Sequence, residues 1–123
     1  MKNILVVDDE LEVLEATKKI LLKNQYAVMT ASGGKQAVAL AKANRPDLIL
    51  LDIMMPDMDG RDVLVELKKD PVTMDIPIIF VTARDEQFQR DYGLGLGAHE
   101  YISKPCDAVF LLSQVAGILN KSR

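Results

Sequence analysis

Three short apolar runs without alternation constrain the fold of this chain more than any other feature. They are Ile4–Val7, Leu48–Leu51 and Ile78–Val81. A strand covered on one face alternates apolar and polar residues, whereas a strand covered on both faces is apolar throughout. Two weaker runs, Tyr26–Thr30 and Glu100–Ser103, are more polar, as strands at the edge of a sheet tend to be. The pattern predicts an α/β protein with a central parallel sheet.

Segments with helical periodicity separate the apolar runs. In the first segment, apolar residues recur at three- and four-residue spacing, which places them on one face of a helix. The residues of this stripe are Val13, Leu14, Thr17, Ile20 and Leu21. The five predicted helices run from Glu10 to Lys23, from Ser32 to the residues before Arg45-Pro46, from Asp59-Gly60 to Asp70-Pro71, from Asp85 to about Leu94, and from Asp107 onward.

Three residues near helix ends carry predictions of their own. Asn24 follows the first helix, where a left-handed conformation is expected. Ser32 is expected to cap the second helix with its side chain. In the last helix Phe110 is expected to face the core together with Leu111, Val115, Ile118 and Leu119.

Length and composition indicate a single globular domain over residues 1–123. Strands that alternate with helices imply right-handed crossovers and an open α/β sandwich. Hydrophobic residues make up 49% of the chain, which excludes dominant disorder, and the single cysteine excludes an internal disulfide. The net charge of −3 argues against direct binding to nucleic acid, and no apolar run approaches the ~20 residues of a membrane helix. We therefore expect a soluble, cytoplasmic protein.

Polar residues follow the predicted strands and should meet at one edge of the sheet, where α/β proteins carry their chemistry. Each residue alone has a simpler explanation, as a helix cap, a turn residue or a solvated charge. Those explanations do not account for the convergence. Asp8 and Asp9 follow the first strand, Asp52 the third, Thr82 the fourth, and Lys104 the fifth.

Crowded carboxylates repel one another and raise each other's pKa unless a cation neutralises them. Because carboxylates are oxygen ligands, the fitting cation is Mg²⁺, with Mn²⁺ as an alternative. A carboxylate can also act as a nucleophile and form an acyl phosphate. Lys104 would then offset charge on the transferred group, and the Thr82 hydroxyl could donate to one of its oxygens.

The sequence resembles the receiver domains of two-component response regulators over essentially its whole length. The motifs match in order and in spacing, and their combination is specific where no single piece would be. The segments that carry the resemblance are Val7–Glu10, Leu51–Gly60, Val81–Arg84 and Gly97–Pro105. The family implies a flavodoxin-like (βα)5 three-layer sandwich with five parallel strands in the order 2-1-3-4-5.

The resemblance also implies a role for particular residues. Asp52 matches the phosphoacceptor of the family, which becomes an aspartyl phosphate. Asp8 and Asp9 match the acidic pair that holds Mg²⁺ together with Asp52, and the backbone carbonyl of Met54 matches a further ligand. Lys104 matches the lysine of the family that binds the phosphoryl group.

Thr82 and Tyr101 match the switch pair of the family, in which the hydroxyl turns toward the phosphoryl group and the ring moves inward. The resemblance implies a phosphorylation switch that accepts its phosphoryl group from a sensor histidine kinase or a histidine phosphotransfer protein. The output surface would be the fourth predicted helix, the fifth strand and the fifth predicted helix. Its target would be a downstream effector protein or an output domain outside this chain, with the receiver a monomer or a phosphorylation-dependent homodimer.

Two alternatives remain at this stage. A degenerate receiver would bind partners without phosphorylation, although every expected acid is present. A phosphatase with an aspartate nucleophile would need a second Asp two positions later, where Met54 follows Asp52 and Glu10 follows Asp8. We therefore expect a signalling domain that catalyses its own modification and slow dephosphorylation, not a metabolic enzyme. Cys106 departs from the phenylalanine usual in the family, and we expect it to alter local packing.

Overall fold

A single parallel sheet forms the centre of the protein. The computed structural model describes residues 1–82, 95, 97–98, 100–104 and 107–121. Within these residues the sheet has five strands in the order β2-β1-β3-β4-β5, which confirms the predicted topology. The strands are β1 (Asn3–Val7), β2 (Ala27–Ala31), β3 (Leu48–Leu51), β4 (Ile78–Thr82) and β5 (Glu100–Ser103).

Four helices connect or follow the strands within the described residues. They are α1 (Leu11–Lys23), α2 (Gly34–Asn44), α3 (Gly60–Lys69) and α4 (Ala108–Lys121). Helix α4 is the last of the five predicted helices, and the predicted helix from Asp85 to about Leu94 lies outside the described residues. Among the residues that the structure describes, no helix combines the length and the apolar character needed to cross a lipid bilayer.

The core consists of two apolar layers, one on each face of the sheet. Leu5 and Val7 of β1 contribute to the layer that includes residues of α2 and α3. Ile4 and Val6 of the same strand contribute to the layer that includes residues of α1 and α4. Because side chains alternate between the faces of a strand, coverage on both sides requires an apolar residue at every position. This arrangement explains the unalternating runs in the sequence.

Two predictions at helix ends are wrong. The left-handed residue after α1 is Gln25, with φ of 66°, whereas Asn24 has φ of −109°. Gln25 N–H donates to the Leu22 carbonyl and Tyr26 N–H to the Leu21 carbonyl, and the left-handed residue lies one position beyond the C-cap residue Asn24. Ser32 does not cap α2, because the helix begins at Gly34 and its first N–H groups donate to the carboxylate of Asp57, in the segment between β3 and α3.

Phe110 also departs from the prediction, since 47% of its surface is exposed. The Asp107 carboxylate accepts from Phe110 N–H at 2.7 Å and so caps the start of α4. The buried stripe of this helix follows four-residue spacing through Leu111, Val115 and Leu119. Phe110 lies one residue, or about 100°, away from that stripe and therefore faces outward.

Candidate functional site

The carboxyl edge of the sheet brings together the acids that the sequence placed at the ends of β1 and β3. The two strands are parallel neighbours, with Val7 opposite Leu51. Asp8 and Asp52, the next residue of each strand, therefore lie side by side. Asp52 N–H donates to the Val7 carbonyl at 3.0 Å, so the backbone bonding of the sheet continues to the acidic residue.

Asp8, Asp9 and Asp52 form one acidic cluster. Each of them offers a carboxylate oxygen, and these oxygens lie within 4.8 Å of one another. Asp8 and Asp52 are only 3% and 5% exposed, whereas Asp9 is more open to solvent. A set of oxygen donors around an accessible position suits a hard divalent cation, which prefers oxygen ligands and keeps several waters. The side chains present therefore fit Mg²⁺.

Lys104 provides a cation at the same edge. Its Nζ donates to Asp8 Oδ2 at 2.5 Å and lies 3.5 Å from Asp52 Oδ2. Burial by itself would lower the pKa of Lys104, because it penalises the charged form. The hydrogen bond to Asp8 and the nearby charge of Asp52 outweigh this effect and raise the pKa above its usual value. Lys104 therefore stays protonated and offsets part of the negative charge of the cluster.

A second hydrogen bond orients the Asp8 carboxylate. Asp8 Oδ1 accepts from the backbone N–H of Glu10 at 2.9 Å, while Oδ2 accepts from Lys104. The two oxygens thus have different partners, one on the loop before α1 and one on the loop after β5. This arrangement places Asp8 between the two loops and ties it closely to the lysine.

The loop of residues 53–59, between β3 and α3, begins directly after Asp52 and is closed at its base. Gly60 N–H donates to the Ile53 carbonyl at 2.7 Å. The Asp59 carboxylate caps α3 by accepting from Arg61 N–H at 2.8 Å, at the position where the sequence predicts the start of this helix. Met54, whose carbonyl the resemblance assigns to the metal, lies in this loop with its side chain exposed.

Gly60 permits the close approach of α3 to β3. A Cβ at this position would lie 2.1 Å from the backbone oxygen of Asp52 and 2.8 Å from Ile53 Cα. Both atoms belong to the backbone and have little freedom to move away. A glycine is therefore needed where the first turn of α3 packs against the acidic strand end.

The predicted switch residues lie on neighbouring strands. Phe80 of β4 is paired with Tyr101 of β5, and their rings meet edge to face with centroids 6.3 Å apart. The Tyr101 side chain is directed inward and is 5% exposed. Thr82 is the last residue of β4 and is paired with Ser103, so its backbone reaches the same edge as Asp52. The Thr82 side chain and Cys106 lie outside what the structure describes.

A contact that the sequence analysis missed joins the 53–59 loop to α2. Asp57 Oδ1 accepts from Gly34 N–H at 3.0 Å, and Oδ2 accepts from Lys35 N–H at 3.2 Å. Asp57 thus provides the cap that Ser32 was expected to provide. The available signal was the Gly33-Gly34 pair, since adjacent glycines often mark a close approach of two backbones.

An apolar cavity of about 430 Å³ opens beside the acidic cluster, between α1 and α4. Asp8, Glu10 and Lys104 form its polar end. The other lining residues are Val6, Val7, Val13, Ala16, Thr17, Ile20, Leu50, Val81, Ala108 and Leu111.

Comparison with known proteins points to one family. The model of the response regulator receiver domain matches residues 4–116. The chain is 40% identical over 121 residues to the alkaline phosphatase synthesis transcriptional regulatory protein PhoP of Bacillus subtilis, covering 98% of this chain and 50% of PhoP. It is 36% identical over 119 residues to the protein PilH of Pseudomonas aeruginosa, covering 97% of this chain and 98% of PilH. The chain thus spans about half the length of PhoP and nearly all of PilH.

Solved structures show the same architecture. The receiver domain of the Francisella response regulator 1452 superposes with a TM-score of 0.93 at 28% identity, and each chain is covered completely. The signal receiver domain of a signal transduction histidine kinase from Syntrophus aciditrophicus gives a TM-score of 0.90 at 35% identity. That comparison covers 98% of this chain and 92% of the other.

Proposed function

The chain belongs to the response regulator receiver domain family of two-component systems, and we propose that Asp52 is its phosphoacceptor. The donor is a sensor histidine kinase or a histidine phosphotransfer protein, and the reaction depends on Mg²⁺. One observation carries the proposal. The buried Asp52 carboxylate lies in an acidic cluster whose oxygens are within 4.8 Å of one another, and Lys104 Nζ lies 3.5 Å from it.

The proposed reaction transfers a phosphoryl group between two side chains. An oxygen of the Asp52 carboxylate attacks the phosphorus of a phosphohistidine on the donor. The new bond joins this oxygen to phosphorus, the bond from phosphorus to the imidazole nitrogen breaks, and its electron pair stays on the imidazole. Bound by the carboxylates of Asp8, Asp9 and Asp52 and by the Met54 carbonyl, Mg²⁺ would offset negative charge on the transferred group.

In the proposed reaction, Lys104 interacts with the transferred phosphoryl group. In the unphosphorylated protein it donates to Asp8 and lies near Asp52. An acyl phosphate on Asp52 would offer an ammonium new anionic oxygens at this edge. An ammonium is positively charged at neutral pH, so the Lys104 side chain carries a charge opposite to that of the arriving group. Its role in the proposal is to stabilise charge on the phosphoryl oxygens.

The proposed switch uses Thr82 and Tyr101. A phosphoryl group carries ~1.5–2 negative charges and three strong acceptors, so the hydroxyl of Thr82 gains a partner only after phosphorylation. Movement of that hydroxyl changes the space available to the Tyr101 ring, which is packed against Phe80. The resulting change would reach a surface formed by the predicted fourth helix, β5 and α4. A downstream effector or an output domain would bind there.

Relatives support a signalling role and leave several finer points to the proposal. PhoP is a transcriptional regulatory protein of which this chain matches half, whereas PilH is matched over nearly its whole length. The chain acts in the cytoplasm in our proposal, as a monomer or a dimer that forms on phosphorylation. It is a signalling domain that catalyses its own modification and slow dephosphorylation, not a metabolic enzyme.

Mass spectrometry after incubation with acetyl phosphate and Mg²⁺ tests the proposal. We expect one labile phosphoryl adduct on the wild type, absent in Asp52→Asn and absent when EDTA replaces Mg²⁺. The control is Asp75→Asn, which changes an exposed aspartate in the turn after α3 and should leave the adduct unchanged. A wild type without an adduct, under conditions that load another receiver domain, would refute the proposal and favour a phosphorylation-independent interaction module.

A further inference from the structure

We propose that Asp57 is a positioning residue that holds the 53–59 loop in place for Mg²⁺ binding by tying it to the start of α2. This inference rests on the proposed function, because it concerns the loop that carries the Met54 carbonyl. Asp57 is not proposed to touch the metal or the phosphoryl group. Its carboxylate acts through the backbone that follows Asp52.

The contact uses both oxygens of the Asp57 carboxylate. Oδ1 accepts from Gly34 N–H at 3.0 Å and Oδ2 from Lys35 N–H at 3.2 Å. These donors are among the first N–H groups of α2, which have no partners within the helix. The hydrogen bonds from Gly34 and then from Lys35 hold the pKa of Asp57 below its usual value. The carboxylate is therefore ionised and suited to the positive end of the helix dipole.

The glycine pair at the start of α2 leaves space for this contact. A Cβ on Gly33 would lie 3.0 Å from Asp57 Oδ1. A Cβ on Gly34 would lie 2.7 Å from Met58 Cβ and 2.8 Å from Val63 Cγ2. Both glycines thus leave room for the 53–59 loop, and a side chain at either position would press on that loop.

The Asp57 contact differs from the other anchors of the loop. The Gly60–Ile53 hydrogen bond closes its base, and Asp59 fixes its end by capping α3. Both anchors join residues close in sequence, and in the middle of the loop Met55 and Met58 are partly buried against the core. Asp57 instead binds a segment 22 to 23 residues earlier, which is itself anchored to the sheet through β2.

Loss of this anchor should weaken metal binding before it affects chemistry. A loop that moves more freely must lose more conformational freedom when its carbonyl is ordered for a metal. Groups that support metal ligands from outside typically contribute 10–100-fold to affinity, and we expect about tenfold here, the low end of that range. At saturating Mg²⁺ the loop is ordered again, so the rate of phosphorylation should recover.

The experiment compares Mg²⁺ affinity in three variants and a control by titration calorimetry. Asp57→Ala removes both acceptors, Asp57→Asn keeps one, and Gly33→Ala presses on the carboxylate from the other side. The control is Asp70→Asn, because Asp70 accepts a backbone N–H from Val72 beyond the far end of α3. We expect the Kd for Mg²⁺ to rise about tenfold in Asp57→Ala, with a smaller rise in Asp57→Asn, a rise in Gly33→Ala and no change in Asp70→Asn.

A second measurement separates positioning from a merely structural role. The phosphorylation rate with acetyl phosphate, followed against Mg²⁺ concentration, should show a higher half-saturating Mg²⁺ in Asp57→Ala and a maximal rate within twofold of the wild type. If the wild type binds Mg²⁺ and Asp57→Ala binds it within twofold as tightly, the inference is overturned while the proposed function stands. If the wild type neither binds Mg²⁺ nor forms an adduct, both are overturned.

Discussion

Replacing Gly60 with alanine tests the packing of α3 against the acidic strand end. The added Cβ would lie 2.1 Å from the Asp52 backbone oxygen, so the two atoms would have to separate by at least about 1.3 Å to reach ordinary contact. The φ angle of Gly60 is outside the left-handed region, so alanine meets no backbone strain of its own. The cost is therefore steric, and it falls on the backbone that carries Asp52.

The magnitude follows from the atoms involved. Inserting a carbon into a packed site costs about 1–3 kcal/mol, and the upper end applies when backbone atoms must move. A gain of up to about 1 kcal/mol from the better helix propensity of alanine offsets part of this cost. We expect Gly60→Ala to lower the free energy of unfolding by about 2–3 kcal/mol. The midpoint of urea unfolding would then fall by about 1–2 M.

Gly117→Ala is the matched control, because it makes the same change in a helix with open surroundings. Among the described residues, and apart from the backbone of the helix and the two chain neighbours, no atom lies within 4 Å of a Cβ built at Gly117 in α4. This variant should gain about 0.5–1 kcal/mol from helix propensity alone. Urea unfolding followed by circular dichroism measures both variants. If the free energy of unfolding of Gly60→Ala is within about 1 kcal/mol of the wild-type value, α3 does not press on the Asp52 backbone.

Charge and packing around the site lead to three more expectations. In EDTA, Asp9→Asn should raise the melting temperature by about 2–4 °C, because it removes one of the clustered carboxylates. It should also abolish the rise in melting temperature that Mg²⁺ gives the wild type. An unchanged Mg²⁺ effect in calorimetric scans would contradict this. In EDTA, the wild type should have a higher free energy of unfolding than Lys104→Met up to pH 10.5, and this difference should disappear as the pH rises through the higher pKa of folded Lys104. A difference in urea unfolding that does not change with pH would show that the ion pair contributes nothing. Ala16→Leu should fill part of the cavity between α1 and α4 and raise the unfolding free energy by about 0.5–1 kcal/mol, and a loss of stability would mean that the cavity cannot accept the side chain.

The sheet and its two layers were predictable because they depend on local pattern. Ile4–Val7 and Leu48–Leu51 are apolar at every position, and in the structure each strand contributes to both core layers. The buried positions of α3, Val63, Leu64 and Leu67, also follow the helical period that the sequence shows. A strand or helix buries whichever residues share its face, so periodicity alone identifies most of the core.

Helix ends were predicted less well, because they depend on partners from elsewhere in the chain. The sequence pattern placed the start of α3 at Asp59-Gly60, and in the structure Asp59 caps this helix from the adjacent position. Ser32 has the right chemistry to cap α2, yet Asp57 occupies that role from a distant loop. Phe110 fits an apolar stripe by residue type but lies beside it once Asp107 sets the start of α4.

The sequence by itself determined which residues reach the carboxyl edge of the sheet. Asp8, Asp9 and Asp52 directly follow buried strands, and parallel strands present their carboxyl ends together. Only the tertiary structure decided how these groups are paired. It places Lys104 closer to Asp8 than to Asp52 and joins Asp57 to α2, because such contacts depend on the relative placement of segments far apart in the chain. Local propensity carries no information on those distances, whereas the packing of helices on both faces of the sheet sets them.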